Sequence, residues 1–82
     1  NKKLRKFDGY SPTQGLLEIK TGHQSLSFET VSSQIEFDKQ LIEQGVKLKW
    51  HFFPNKAGVT AEKELLDALK KAKIPYKIHN SL

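Results

Sequence analysis

Glu18 and Lys20 stand one residue apart in the run Leu16-Leu17-Glu18-Ile19-Lys20. In a strand, alternation sends Leu17 and Ile19 to one side and Leu16, Glu18 and Lys20 to the other. A carboxylate and an ammonium then project together, about 6.5 to 7 Å apart at the backbone. Ionisable groups on so apolar a strand are costly unless they pair or coordinate a cation. Asp8 lies upstream, where a hairpin would bring its carboxylate beside Glu18. Two acids and a Lys on neighbouring strands suit metal-assisted phosphodiester hydrolysis. Hard oxygen ligands hold Mg²⁺ or Mn²⁺, and the Lys orients water and offsets charge at the attacked phosphate. The plainer alternative for Glu18 and Lys20 is a same-face salt bridge on a solvated sheet.

The segment after this strand has helical spacing from Val31 to Gln44. At about 100° per residue, Val31, Ile35 and Ile42 mark one edge of a sector and Phe37 and Leu41 the other. Gln34 and Asp38 fall between them, one turn apart, and are directed toward the body of the protein. The alternative is that they sit at a groove's rim and satisfy backbone or each other.

The elements that must hold these residues follow from turn and cap signals. Lys3 to Asp8 reads as a strand, Asp8-Gly9-Tyr10-Ser11-Pro12 as a turn, and Leu16 to Lys20 as the second strand of a hairpin. Thr21 to Thr30 reads as a loop with Leu26 and Phe28 folding back on the body. Thr30, Ser32 and Ser33 are candidate N-caps for the first helix, and Gly45 is placed to end it. Val46 to Phe53 alternates Val46, Leu48, Trp50 and Phe52 with Lys47, Lys49, His51 and Phe53, the pattern of a central strand ended by Pro54. Thr60 is a candidate cap for a helix from Ala61 to about Lys73, with Leu65, Leu66, Leu69 and Ala72 as its buried stripe. A last short strand after Pro75 puts Tyr76 and Ile78 on one face. The predicted order is β-β-α-β-α-β: an α/β (α+β) fold with helices packed on a mixed sheet.

The chain has 82 residues, room for one domain with one modest core. Its five Gly, three Pro and 37% apolar residues are those of a folded domain rather than a linker. No apolar run reaches the roughly 18 residues of a membrane span, and no signal segment is present, so a soluble domain is expected. With no Cys, disulfide scaffolds and thiolate zinc sites are excluded, while the redox compartment stays open. Met is also absent, including at position 1, as expected of a piece of a longer polypeptide. The formal charge of +5 favours acidic partners, and it rests on thirteen Lys and one Arg. Lys is a point charge that attracts phosphate without reading bases bidentately.

Asp8 with Glu18-Ile19-Lys20 resembles the PD-(D/E)xK nuclease superfamily, in which an acid on one strand precedes (D/E)-x-K on the next. More narrowly, Phe7-Asp8-Gly9-Tyr10, Leu17-Glu18-Ile19-Lys20, Gln34 and Lys49-Trp50-His51-Phe52 look like the restriction-endonuclease-fold toxin domains at the C-termini of bacterial polymorphic toxins. The resemblance runs from about Phe7 to His79. It implies Asp8, Glu18 and the Ile19 carbonyl as metal ligands, Lys20 as catalytic lysine and Gln34 as an auxiliary active-site residue. Asp38 has no family role to carry over and is expected to support the site from behind. The superfamily core begins with a helix and a further strand, which are expected on a segment preceding this one. The resemblance further implies a Mg²⁺- or Mn²⁺-dependent endonuclease acting on DNA or RNA, with DNA favoured. A cognate immunity protein and secretion or contact delivery into a target-cell cytoplasm come with it.

Lys47, Lys49 and His51 are candidate nucleic-acid contacts, while Trp50 and Phe52, on the opposite side of their strand, are expected in the core, with a base-stacking platform as the alternative. His23, His51 and His79 have no metal-ligand spacing and read as ordinary loop and strand residues. Lys70, Lys71 and Lys73 read as a solvated helix end. The second functional hypothesis, of a different class, is a non-catalytic basic nucleic-acid-binding module that uses the sheet, Lys47, Lys49 and His51.

Overall fold

The computed structural model describes residues 6–80. Six elements follow in order: β1 (Gly9–Ser11), β2 (Gly15–Thr21), α1 (Glu29–Glu43), β3 (Leu48–Phe53), α2 (Lys63–Lys71) and β4 (Tyr76–Ile78). They form an α+β fold with one mixed sheet in the order β1-β2-β3-β4. β1 is antiparallel to β2, and β2, β3 and β4 run parallel.

Each helix is the crossover between two adjacent parallel strands. Right-handed crossovers in a sheet whose order follows the chain put both helices on one face. Their apolar stripes meet there: Val31 and Ile35 of α1 and Leu65 and Leu69 of α2 close over Leu48, Trp50 and Phe52 of β3 in a single core. Trp50 and Phe52 are fully buried, as the alternation predicted. Each such side chain contributes about 1.5–3 kcal/mol of burial. Among the described residues no helix covers the other face, to which alternation assigns Leu17, Ile19, Lys49, His51, Phe53 and Lys77.

Several boundaries differ from the sequence expectations, each for a local reason. The first strand starts after Asp8 instead of ending there, and Lys3 to Arg5 of the predicted strand lie outside the described residues. The chain reverses later because Ser11 Oγ accepts from the amides of Thr13 and Gln14, around Pro12. Gly15 follows at φ +82°, and a Cβ there would meet the Lys47 carbonyl oxygen at 2.1 Å. Only Gly allows that close approach of β2 to the start of β3.

The helix α1 begins at Glu29 with Phe28 at its N-cap, so Thr30, Ser32 and Ser33 do not cap it. A turn bonding the Phe28 amide to the Ser25 carbonyl starts the coil earlier, and Ser32 Oγ donates back to the Glu29 carbonyl. Its end is as expected. Gly45 at φ +88° donates to the Ile42 carbonyl and Val46 to the Leu41 carbonyl, the paired bonds of a Schellman stop.

Thr60 does not cap α2 either, and its Oγ1 is buried without a hydrogen-bond partner. Ala61 forms a parallel bridge with Gln24, and the Glu62 amide donates to the Gln24 carbonyl, so the backbone stays extended until Lys63. Leu26 lies beside Ile35, Ala68 and Ala72 at the groove between the helices, and Leu26 and Phe28 keep 37% and 41% of their surface exposed. Among the described residues no helix is long and apolar enough to cross a membrane.

Candidate active site

Asp8 precedes the first paired residue of β1. Its amide donates to the Leu17 carbonyl at 2.8 Å, and its Oδ2 accepts from the Ile19 amide at 2.7 Å. A side-chain carboxylate thus takes the place of a backbone acceptor at the edge of β2 and is held beside the Glu18–Ile19 peptide. Asp8 itself is exposed.

Glu18 and Lys20 point to the helix-covered face rather than to a solvated one. The Lys20 Nζ lies 2.8 Å from Glu18 Oε2, and the two side chains are only 12% and 5% exposed. Lys20 Nζ also donates to Gln34 Oε1 at 2.5 Å, which ties β2 to the second turn of α1. The same ammonium lies 5.5 Å from the centre of the Trp50 ring. Parallel register sets Glu18 directly beside Trp50, and Trp50 Nε1 donates to Asp38 Oδ2 at 2.8 Å. Asp38 is fully buried. Glu18, Lys20, Gln34, Trp50 and Asp38 therefore form one connected polar seam between sheet and α1.

Such a seam is expensive to break. Removing one partner of a buried ion pair leaves an uncompensated charge and costs about 3–5 kcal/mol. An ammonium offers three N–H groups. Two are directed at Glu18 and Gln34.

Lys47, Lys49 and His51 are not brought to this seam. Alternation along β3 puts them on the opposite face of the sheet from Glu18 and Lys20, with Lys47 exposed and Lys49 and His51 half-buried. His51 Nε2 bonds Gln14 Oε1 at 2.7 Å and His51 Nδ1 bonds His79 Nε2 at 2.8 Å. An amide oxygen can only accept, so His51 carries its proton on Nε2 and His79 donates to Nδ1. Burial first, then the positive neighbours His79, Lys49 and Lys77, hold the His51 imidazole below its usual pKa.

His23 is bonded to Glu62, whose other oxygen accepts from Ser25 Oγ at 3.2 Å. The His23 bond is the larger cause holding the Glu62 carboxyl below the usual range. Serine here meets the acid and not the imidazole, so the group lacks the order of a nucleophilic relay. A shallow groove of 290 Å³ between the helices is bordered by Leu26, Ile35, Ala68 and Ala72, away from the seam.

Trp50, expected in the core, is packed there and also joins the seam, a role its sequence context did not assign. The signal was present in its alternation with Lys49 and His51, which put it on the same face as Glu18 once the two strands are parallel neighbours. Comparison with protein-family models, with curated proteins and with solved structures gave no match.

Proposed function

We propose that this chain is a PD-(D/E)xK-like, metal-dependent nuclease domain that hydrolyses phosphodiester bonds of nucleic acid, DNA above RNA. The observation that carries the reading is the Lys20 ammonium held between Glu18 and Gln34, with the Asp8 carboxylate fixed on the adjoining Ile19 amide. Charged groups from the β1 border and β2, with the neutral Gln34 amide of α1, meet on one strand segment of a protein that carries a net charge of +5.

The donor set is of hard oxygens, which suits Mg²⁺ or Mn²⁺. Among the described residues no group of three or more His, Cys, Asp and Glu is arranged to hold an ion. Mg²⁺, however, is commonly bound through one or two carboxylates, with water and substrate phosphate completing its shell. Asp8, Glu18 and the Ile19 carbonyl are the residues that would hold it. When bound, such an ion supplies Lewis acidity and charge neutralisation at the phosphate. Lys20, oriented by Glu18 Oε2 and Gln34 Oε1, presents its ammonium to the attacking water or to the charge developing on phosphate oxygen. Asp38 acts through Trp50, fixing the ring beneath the ammonium.

By the resemblance this would be the nuclease part of a bacterial polymorphic toxin, delivered to a target-cell cytoplasm and restrained by a cognate immunity protein. The test is incubation of supercoiled plasmid and of total RNA with Mg²⁺, Mn²⁺ or chelator. Asp8→Asn keeps an acceptor for the Ile19 amide on an exposed residue. It should lower metal-dependent cleavage by about 100-fold or more at unchanged thermal midpoint. Glu18→Gln/Lys20→Met, which removes both buried charges together, should be folded and inactive. Full activity in either variant overturns the assignment.

The second reading, a basic binding module without catalysis, is favoured by the separation of Lys47, Lys49 and His51 from Glu18 and Lys20. It predicts salt-sensitive binding that needs no metal.

A further inference from the structure

The face of the sheet opposite the helices carries a row of rings. Phe53 at the end of β3 stacks on His79 at 4.2 Å between ring centres and 6° between planes. His79 in turn meets His51 edge to edge: Nε2 lies 2.8 Å from Nδ1, with ring centres 5.1 Å apart and 29° between planes. His79 is placed just past β4 by its amide, which donates to the Phe52 carbonyl at 2.8 Å. Gln14, from the β1–β2 turn, and His79 hold the two edges of the His51 ring, so the row is anchored from three parts of the chain. All three rings are only half-buried.

Along β2, β3 and β4 the charge on this face has one sign, with the Asp8 carboxylate at the sheet border beyond Ile19. Alternation assigns Lys47, Lys49 and Lys77 to the same face, and it assigns that face no Asp or Glu of β2, β3 or β4. Beside the rings, Ile19 leaves 40% of its surface exposed. Stacked half-open rings ringed by Lys match a polyanion that also offers flat apolar faces. Single-stranded nucleic acid has both. A duplex hides its base faces in its own stack, and Lys point charges read no base edges.

We propose that this open sheet face is a binding site for single-stranded nucleic acid, with a base added to the Phe53–His79–His51 row and flanking phosphates on Lys47, Lys49 and Lys77. It rests on the nucleic-acid reading above and adds the strandedness of the ligand and the surface that selects it. That surface is separate from Glu18 and Lys20, which point through the sheet to the other side.

The experiment is fluorescence anisotropy with labelled oligothymidylate and oligouridylate of about twelve nucleotides, and with a duplex of the same length, in chelator so that nothing is cut. Single strands should bind at least about tenfold more tightly than the duplex. Phe53→Ala/His79→Ala should weaken single-strand binding about tenfold or more. Lys49→Gln/Lys77→Gln, which leaves the rings in place and guards against a folding artefact, should also weaken it. The Lys variant should lower the slope of log affinity against log salt by about 0.7 per Lys. Duplex binding as tight as single-strand binding, or single-strand affinity within about twofold of the parent in both variants, overturns the proposal. Metal-dependent cleavage by a chain whose open face binds no oligonucleotide would sink this site and leave the nuclease reading intact. Binding on this face without cleavage in any metal would do the reverse.

Discussion

His51 shows how much a single side chain on this sheet is asked to do. It accepts a hydrogen bond from His79, donates one to Gln14 and is surrounded by His79, Lys49 and Lys77. Burial and those charges favour its neutral form in the folded chain. An unfolded imidazole takes up a proton near pH 6.5 while the folded one resists until lower pH. The folded state therefore keeps its full advantage above about pH 6.5, and loses it as pH falls from there through the depressed folded value. The thermal midpoint should drop between about pH 7 and about pH 5, and His51→Gln should flatten that part of the profile. A parent midpoint that rises on acidification would contradict the hydrogen-bond directions assigned to the His pair. Asp38 offers a contrast: it is wholly buried yet bonded to Trp50, so it stabilises the position of a ring without facing solvent at all.

At the scale of elements, the hairpin and the two crossovers set what the residues can reach. Gly15 begins β2 at positive φ with the Lys47 carbonyl 2.1 Å from where a Cβ would sit. Gly15→Ala adds a left-handed penalty of about 1–2 kcal/mol. It also forces apart the Leu16–Lys47 hydrogen bond that starts the parallel pairing of β2 with β3. Urea unfolding should register a loss clearly beyond that backbone penalty, and faster hydrogen exchange should appear first at the Leu16 amide. A loss below about 1 kcal/mol would mean that the two strands separate there at little cost. The order β-β-α-β-α-β, the Gly45 stop and the burial of Trp50 and Phe52 were legible because each is a local period or a local cap. The starts of both helices were not. A backbone turn from Ser25 to Phe28, with no capping side chain, starts the first, and the pairing of Gln24 with Ala61 and Glu62 across the fold delays the second. The meeting of Glu18, Lys20 and Gln34 was also legible, since strand and helix periods aim all three inward. The Trp50–Asp38 bond was not, because it depends on the Glu18–Trp50 register between strands far apart in sequence. The His51–His79 hydrogen bond escaped for the same reason, through the register of β3 with β4.

For the whole molecule, one core joins β3, α1 and α2, and no element has a second core to fall back on. Unfolding should be a single cooperative event. Trp50 is the chain's one Trp and is fully buried at the centre of that core, so its fluorescence reports the global transition. Urea curves followed by Trp50 emission and by far-ultraviolet circular dichroism should superimpose. Separate midpoints would reveal a part of the sheet that melts by itself. The placement of Trp50 also bears on how this protein is made. The Asp8, Glu18, Lys20 and Gln34 segments leave the ribosome first, yet β2 has its parallel partner only once β3 has emerged, and β3 needs β4 and α2 to cover it. Until then the Lys20 ammonium has no indole to ride on and no sheet to hold it against α1. A nascent chain would thus carry Asp8, Glu18, Lys20 and Gln34 in its first half and bring them into register only when its second half is translated.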